Sequence, residues 1–282
     1  MACGGSCDNC SQKCDKESLK ATLHKDSSVK KVVAVVSGKG GVGKSLVTCL
    51  LACKLSAMGH RVAIMDADVT GPSIPTAFGL GGSRLESKSE QNADGSEGGY
   101  LLPAVSRGGI QMVSMNFLLQ SESDPVVWRG PVISGAVRQF WCDVLWQDVD
   151  FMLVDCPPGT ADVPLTVFQS LPVDGIVVVS TPQSLVRTIV KKALNMAALM
   201  SIPVLGLVEN MSYIACPHCG EHIALFGEGG IQSVAVEAGV GVLACIPMDA
   251  GLSRAVDEGR VEALPAPFMD AAAARIARLI DE

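Results

Sequence analysis

A chain of 282 residues with 48% hydrophobic but only 4% aromatic content can build one large core, and that core must be aliphatic. Its net charge of −7, without any basic run, argues against nucleic acid as a partner, and no apolar stretch reaches the roughly 18 residues of a membrane span. The polar N-terminus lacks the apolar centre of a signal peptide, so a cytoplasmic location is expected, with the eleven cysteines serving as metal ligands and buried thiols instead of disulfides.

Residues 1–30 form a polar, cysteine-rich extension with almost nothing to bury. Cys3, Cys7, Cys10 and Cys14 follow the spacing C-x3-C-x2-C-x3-C, which packing does not explain. Four such thiolates suit a [4Fe-4S] cluster or a tetrahedral Zn²⁺, the third reading being a thiol-rich tail without metal. Ferredoxin-like spacing would place proline after the last cysteine, where Asp15 stands.

Residues 31–282 read as one further, large domain. Val32-Val33-Ala34-Val35-Val36 predicts a buried parallel strand, and the pattern turns helical from Lys44 through Met58. Between them, Gly38, Gly43, Lys44 and Ser45 fill every fixed position of a P-loop in the strand-to-helix context it needs. Along Gly38, Lys39, Gly40, Gly41, Val42, Gly43, Lys44 and Ser45, backbone N–H groups can converge on a phosphate at a helix N-terminus. Lys44 is placed to reach the β- and γ-phosphates and Ser45 to ligate Mg²⁺. Lys39 exceeds the basic pattern. It either stays solvated or reaches a phosphate held by a facing subunit, as an arginine finger supplied in trans does. The run Lys39–Ser45 resembles the deviant Walker A loop of the ATPases that include Mrp/ApbC proteins, MinD, ParA and the nitrogenase iron protein. In that class the extra lysine acts across a nucleotide-sandwich dimer, so the resemblance implies a homodimer.

Arg61–Asp66 predicts a second strand, running into Asp66–Pro75. Carboxylates at the C-terminal end of a parallel strand lie on the ligand-binding edge, so one of these aspartates can orient the attacking water or a metal-bound one, or else cap the turn before Pro72. Residues 81–99, rich in Ser, Gly and charge, read as a mobile surface insertion. After the short apolar run Ile110–Met115, Trp128-Arg129-Gly130-Pro131 opens a helix whose core-facing residues are Val132, Val137, Phe140, Val144 and Leu145. Asp150–Asp155 is a strand ending in the Walker B position, where Asp155 would hold Mg²⁺ through water. In the following Cys156-Pro157-Pro158-Gly159-Thr160 a glycine N–H could sense the γ-phosphate, and Cys156 reads as a small buried hydrophobe.

Gly175–Thr181, Ser184–Met200 and Ile202–Glu209 predict strand, helix and strand, the last ending at Asn210, whose amide either pairs with adenine or caps a turn. Near residues 213–222, Cys216-Pro217-His218-Cys219-Gly220 supplies half a tetrahedral site, His218 reading as a solvated loop residue. Its completions are the N-terminal cysteines folding back, a redox disulfide, or the same pair from a second subunit. In the last case a two-fold axis gives four thiolates for one shared [4Fe-4S] cluster. Gly241–Pro247 predicts a final strand, and the helix Phe268–Ile280 carries Asp270 with Arg275 and Arg278, not the basic face of a membrane-surface helix. The expected fold is α/β: a doubly wound, mainly parallel sheet with helices on both faces.

Together, Gly38–Ser45, Asp66–Pro75 (DADVTGPSIP), Trp128–Pro131 (WRGP), Asp155–Thr160 (DCPPGT), Glu209–Tyr213 (ENMSY) and Cys216–Gly220 (CPHCG) resemble the Mrp/ApbC family of iron–sulfur cluster carrier ATPases from about residue 30 to the end. The resemblance implies a homodimer that binds ATP and Mg²⁺, holds a labile [4Fe-4S] cluster on paired Cys216 and Cys219, and passes it to apo iron–sulfur proteins. By position it makes Asp68 the water-activating switch residue, Asp155 the Walker B acid and Asn210 the adenine reader. The four N-terminal cysteines are similar in kind to those of cytosolic scaffold relatives, at shorter spacing. Thr70 and Cys156 stand where tyrosine and methionine are common. Two other classes compete: a MinD/ParA-like positioning ATPase, which gives the clustered cysteines no role, and an ATP-coupled reductase like the nitrogenase iron protein, whose cluster cysteines come singly from two loops.

Overall fold

The computed structural model describes residues 20–68, 73–91, 97–118, 130–159, 162–182, 186–227 and 230–282. Expectations for Cys3 to Cys14, for Val69 to Pro72, for Trp128-Arg129 and for Thr160 lie outside them.

In chain order the described elements are β1 (Val29–Ser37), α1 (Lys44–Ala57), β2 (Val62–Asp66), α2 (Ile74–Ala77), β3 (Glu86–Gln91), β4 (Glu97–Leu102), β5 (Ala104–Val105) and β6 (Gln111–Ser114). There follow α3 (Gly130–Asp143), β7 (Val149–Asp155), α4 (Asp162–Ser170), β8 (Val173–Ser180), α5 (Val186–Met200) and β9 (Val204–Ala215). The chain closes with β10 (His222–Ile223), α6 (Ile231–Ala238), β11 (Val242–Pro247), α7 (Ala250–Asp257) and α8 (Asp270–Ala277). The central sheet runs β10-β9-β8-β1-β7-β2-β6-β5, with β11 on β9, and only the short β5 and β10 are antiparallel.

β1 shows why its run is apolar without alternation. Val32, Ala34 and Val36 pack on one face with α3 to α6, while Val33 and Val35 pack on the other with α1 and α8. A strand covered on both faces has no solvent side on which to place polar residues. Each fully buried valine contributes roughly 1.5–3 kcal/mol of burial energy. Trp141 and Trp146, both buried under the α3 face, satisfy their indole N–H groups on the carbonyls of Ala21 and Phe140. The first described residues therefore dock on this layer, with Ala21 N–H also bonded to the Ser170 carbonyl at 2.8 Å.

Three local expectations change. Residues 86–91 and 97–102 within and beyond the expected loop pair as an antiparallel hairpin, β3 with β4, since extended polar segments satisfy their backbone on each other. Val132 is 56% exposed on α3, whereas Val137 and Phe140 are buried. β9 does not stop at Asn210 but runs on to Ala215, because β11 pairs with it as far as Tyr213 and β10 takes over at Ile214. The polar residues that suggested an end mark a bulge, with Met211 at φ 56°. Among the described residues, no helix is long and apolar enough to cross a membrane.

Candidate functional site

The C-terminal ends of β1, β2 and β7 meet at the start of α1. Gly41 and Gly43 adopt φ 76° and 78°, the left-handed region in which a side chain is strained. Gly43 heads α1, and no side chain caps the helix, so its first N–H groups are left to the loop. A Cβ on Gly43 would stand 2.1 Å from Asn210 Nδ2, so this position needs glycine for space as well as for backbone. The loop from Lys39 to Leu46, with Asp68, Ser73 and Pro158, lines a cavity of about 390 Å³. A second cavity of about 370 Å³ shares Leu46 and is walled by Asn210, Met211, Ile214, Pro247 and Met248. Both volumes fall in the range of small-ligand sites.

Lys44 is almost fully buried, and its Nζ lies 2.8 Å from Asp155 Oδ1 and 3.4 Å from Asp68 Oδ2. Burial pulls its pKa down, but the charge and hydrogen bond of Asp155 and the charge of Asp68 outweigh this, so the ammonium is held above its ordinary value. Asp155 also accepts from Ser45 Oγ at 2.6 Å and Thr48 Oγ1 at 2.9 Å. Asp66 stands opposite Asp155 in the register of β2 with β7, accepting from Ser114 Oγ and from the Asp68 N–H. Burial, then the neighbouring Asp155 charge, push Asp66 up to about 8, and burial pushes Asp155 up as well against the opposing charge of Lys44 and the hydrogen bonds from Lys44, Ser45 and Thr48, so the two facing acids titrate as a coupled pair.

The structure thus gathers Lys44, Ser45, Asp68 and Asp155 in one buried constellation. Sequence reading missed Thr48, whose signal is its i, i+4 relation to Lys44 on α1, and the role of Asp66 as the buried partner acid. Lys39 lies exposed at the loop tip, its carbonyl accepting from Ser37 Oγ. The Gly159 N–H donates to the Ser37 carbonyl at 2.8 Å, so it braces the loop's root and is not presented to the cavity. Cys156 is wholly buried, and desolvation pushes its thiol up to about 12, in keeping with a small hydrophobe.

Asn210 touches the P-loop directly. Its Nδ2 donates to the Val42 carbonyl at 2.9 Å and its Oδ1 accepts the Met211 N–H, leaving each atom one further hydrogen-bonding position beside the second cavity. The preceding Glu209 is buried, its Oε2 accepting from Ser212 Oγ at 2.5 Å while Oε1 has no hydrogen-bond partner among the described residues, and desolvation pushes its pKa up.

β9 ends at Ala215 and leads straight into the cysteine turn. Tyr213 stacks on His222 with ring centroids 3.7 Å apart, and its carbonyl accepts the Met248 N–H at 2.7 Å. Cys216 is half-buried, Cys219 is exposed, and both are free thiols. Hydrogen bonds from the backbone N–H groups of Cys219 and His218, and from the Cys219 thiol, lower the Cys216 pKa. Among the described residues, no group of three or more His, Cys, Asp or Glu is placed to hold a metal, so this pair remains half of a tetrahedral set.

A parallel sheet with a P-loop at its edge, two acids at the neighbouring strand ends and a lysine between them defines a P-loop ATPase. The chain belongs to the NUBPL iron-transfer P-loop NTPase family of the ParA group, whose model matches residues 28–281. It is 41% identical over 266 residues to an iron-sulfur cluster carrier protein of Methanocaldococcus jannaschii, covering 91% of this chain and 89% of that protein. A carrier of the same description from Clostridium perfringens is 42% identical over 237 residues, covering 83% of this chain and 82% of its own. Among solved structures, a nucleotide-binding protein in complex with ADP from Archaeoglobus fulgidus matches with TM-score 0.72 and 41% identity, over 85% of this chain and 92% of that one. The cell division ATPase MinD of Pyrococcus furiosus shares the fold alone, at TM-score 0.59 and 18% identity over 88% and 99% of the two chains.

Proposed function

We propose that this protein is an ATP-hydrolysing carrier that holds a [4Fe-4S] cluster between two copies of itself and delivers it to apo iron–sulfur proteins in the cytoplasm. The observation that carries this is the course of β9. One strand clamps the P-loop through Asn210 and, six residues on, presents a pair of free cysteines.

The loop Gly38–Ser45 cradles the phosphates, and Lys44 turns its Nζ from Asp155 and Asp68 to the β- and γ-phosphates. The base occupies the second cavity, where Asn210 retains one donor and one acceptor position for adenine. The donors around Ser45 are all oxygens, the hard set Mg²⁺ takes, so Ser45 would hold it directly and Asp155 through water. When bound, Mg²⁺ neutralises charge on the transferring phosphoryl group. Asp68, beside Lys44, orients the attacking water, and exposed Lys39 reaches the nucleotide of the facing copy. Cys216 and Cys219 supply two thiolates and the second copy two more. Support for that second copy comes from Ile223, Leu225 and Phe226, which are 47%, 55% and 45% exposed within seven residues of Cys219. A positioning ATPase of the MinD kind leaves this apolar, thiol-bearing arm without a task. Residues 1–30 would add a second set of thiolates through Cys3, Cys7, Cys10 and Cys14.

The test is anaerobic iron and sulfide analysis of the full chain, of a chain lacking residues 1–19, and of Cys216→Ala. About four irons per dimer surviving the truncation and lost in Cys216→Ala are expected. Zinc without sulfide, or a Cys216→Ala protein that loads and donates normally, would overturn the assignment.

A further inference from the structure

β2 ends at Asp66, and the next two amides leave the ladder one after the other. The Ala67 N–H still reaches the Asp155 carbonyl at 2.9 Å, while the Asp68 N–H turns back to Asp66 Oδ1 at 3.1 Å. The Asp66 carboxylate thus closes an Asx turn, and from that turn the Asp68 side chain comes within 3.4 Å of Lys44 Nζ. A carboxylate rotates easily about its terminal torsion, so its partners decide where its oxygens point. The other oxygen of Asp66, Oδ2, accepts from Ser114 Oγ at 2.8 Å. Ser114 closes β6 directly opposite Asp66 in the register, and its Oγ in turn accepts the Asn116 N–H at 3.3 Å. Ser114 and Asp66 are both buried, so water does not compete for these bonds, and a hydroxyl that gives one while receiving another polarises both. A line of contacts therefore runs from the backbone beyond β6, through Ser114 and Asp66, to the backbone of Asp68.

We infer that Ser114 is a positioning residue for ATP hydrolysis: through Asp66 it fixes the turn from which Asp68 reaches the attacking water. This rests on the role proposed above for Asp68. Asp68 lines the cavity of the phosphate loop and Ser114 does not, so Ser114 acts on the reaction through Asp66 and not by touching the nucleotide. Alanine at this position takes the donor from Oδ2 and lets the Asp66 carboxylate turn, and the Asp68 backbone moves with it. Displacing a positioned group by about 1 Å costs up to about a hundredfold in rate. The phosphate-binding loop keeps its own contacts, so binding of ATP stays as it is.

The experiment measures single-turnover hydrolysis of ATP, and ATP affinity by calorimetry, on the full chain. The variants are Ser114→Ala, Asp68→Ala, the two combined, and Ser114→Thr. Ser114→Ala should hydrolyse about tenfold more slowly than the wild type, with ATP affinity within about twofold of it. On the Asp68→Ala background the same substitution should change the residual rate by less than about twofold, because its effect passes through the missing carboxylate. Ser114→Thr keeps the hydroxyl and should retain most of the wild-type rate, which separates loss of the hydrogen bond from a general loosening of the strand end. An alanine variant as fast as the wild type, a loss confined to ATP affinity, a loss that persists in full on the Asp68→Ala background, or a threonine variant as slow as the alanine one overturns the inference. Hydrolysis at the wild-type rate by Asp68→Ala alone overturns the role of Asp68 itself, and that result is read from a chain in which Ser114 is untouched.

Discussion

Lys44 is a buried cation held between carboxylates. Its side chain is 5% exposed, with Asp155 at 2.8 Å and Asp68 at 3.4 Å, and Asp66 stands across the strand pair from Asp155. Lys44→Met keeps the aliphatic stem but leaves a fully buried Asp155 carboxylate facing two other acids without its cation. Removing one partner of a buried pair costs about 3–5 kcal/mol. In a protein of this size each kcal/mol moves Tm by about 2–4 °C, so Lys44→Met should melt about 10 °C below the wild type. The assay is circular dichroism at pH 7 without added nucleotide. Asp155→Asn on the same background removes the stranded charge at nearly constant shape and should recover at least half of the loss. A single variant melting within about 2 °C of the wild type, or a double variant no better than the single, would refute the electrostatic account of this site.

Gly43→Ala should cost about 1–2 kcal/mol in left-handed strain alone and, with its Cβ 2.1 Å from Asn210 Nδ2, abolish ATP binding by calorimetry; Asn210→Ala on top should restore part of the Tm but not the binding. Lys39→Ala, at an exposed loop tip, should leave ATP affinity within about twofold while turnover falls about a hundredfold or more, as loss of a trans-acting cation does. Asp150 gives a pH test. Burial raises its pKa, but the hydrogen bond from Lys30, that from the Arg61 backbone N–H and the charges of both hold it below the ordinary carboxylate range. A depressed folded pKa contributes stability that is present above the unfolded value of about 3.9 and lost as pH falls through the folded one. Asp150→Asn should therefore lower Tm at neutral pH, and the gap to the wild type should close below about pH 4.

The sheet was legible because its strands are buried on both faces, so Val32–Val36, Asp150–Asp155 and Gly175–Thr181 read as unbroken apolar runs in the order a doubly wound fold requires. The phosphate loop was legible because its chemistry is local: Gly38 to Ser45 lie within eight residues. What escaped is what depends on register and packing. Asp66 looked like one of two interchangeable aspartates until the pairing of β2 with β7 set it opposite Asp155. Thr48 looked like an ordinary helix residue until α1 aimed it at the same carboxylate. The length of β9 was hidden because Glu209, Asn210 and Ser212 interrupt its apolar pattern, and pairing with β11 carries the strand across the bulge. The pairing of 86–91 with 97–102 escaped for the opposite reason, since β3 and the start of β4 hold only Glu, Ser, Lys, Gln and Gly and leave no hydrophobic alternation to read.

Five residues of β9, the bulged Met211 among them, lie between Asn210 and Cys216. What they share is backbone: the Asn210 amide on the Val42 carbonyl at one end, and the Met248 N–H on the Tyr213 carbonyl near the other, with Pro247 and Met248 also walling the second cavity. Between those fixed points lies Met211 at φ 56°, one of the few non-glycine residues in the left-handed region. Such a conformation persists only where its surroundings impose it, and here Asn210 Oδ1 imposes it by accepting the Met211 N–H. A base seated on the remaining positions of the Asn210 amide would therefore bear on the same side chain that sets the geometry of the bulge, and the bulge sets the direction in which β9 leads into the cysteine turn. On the proposed function, nucleotide and cluster would be joined by one strand, with the left-handed Met211 between them.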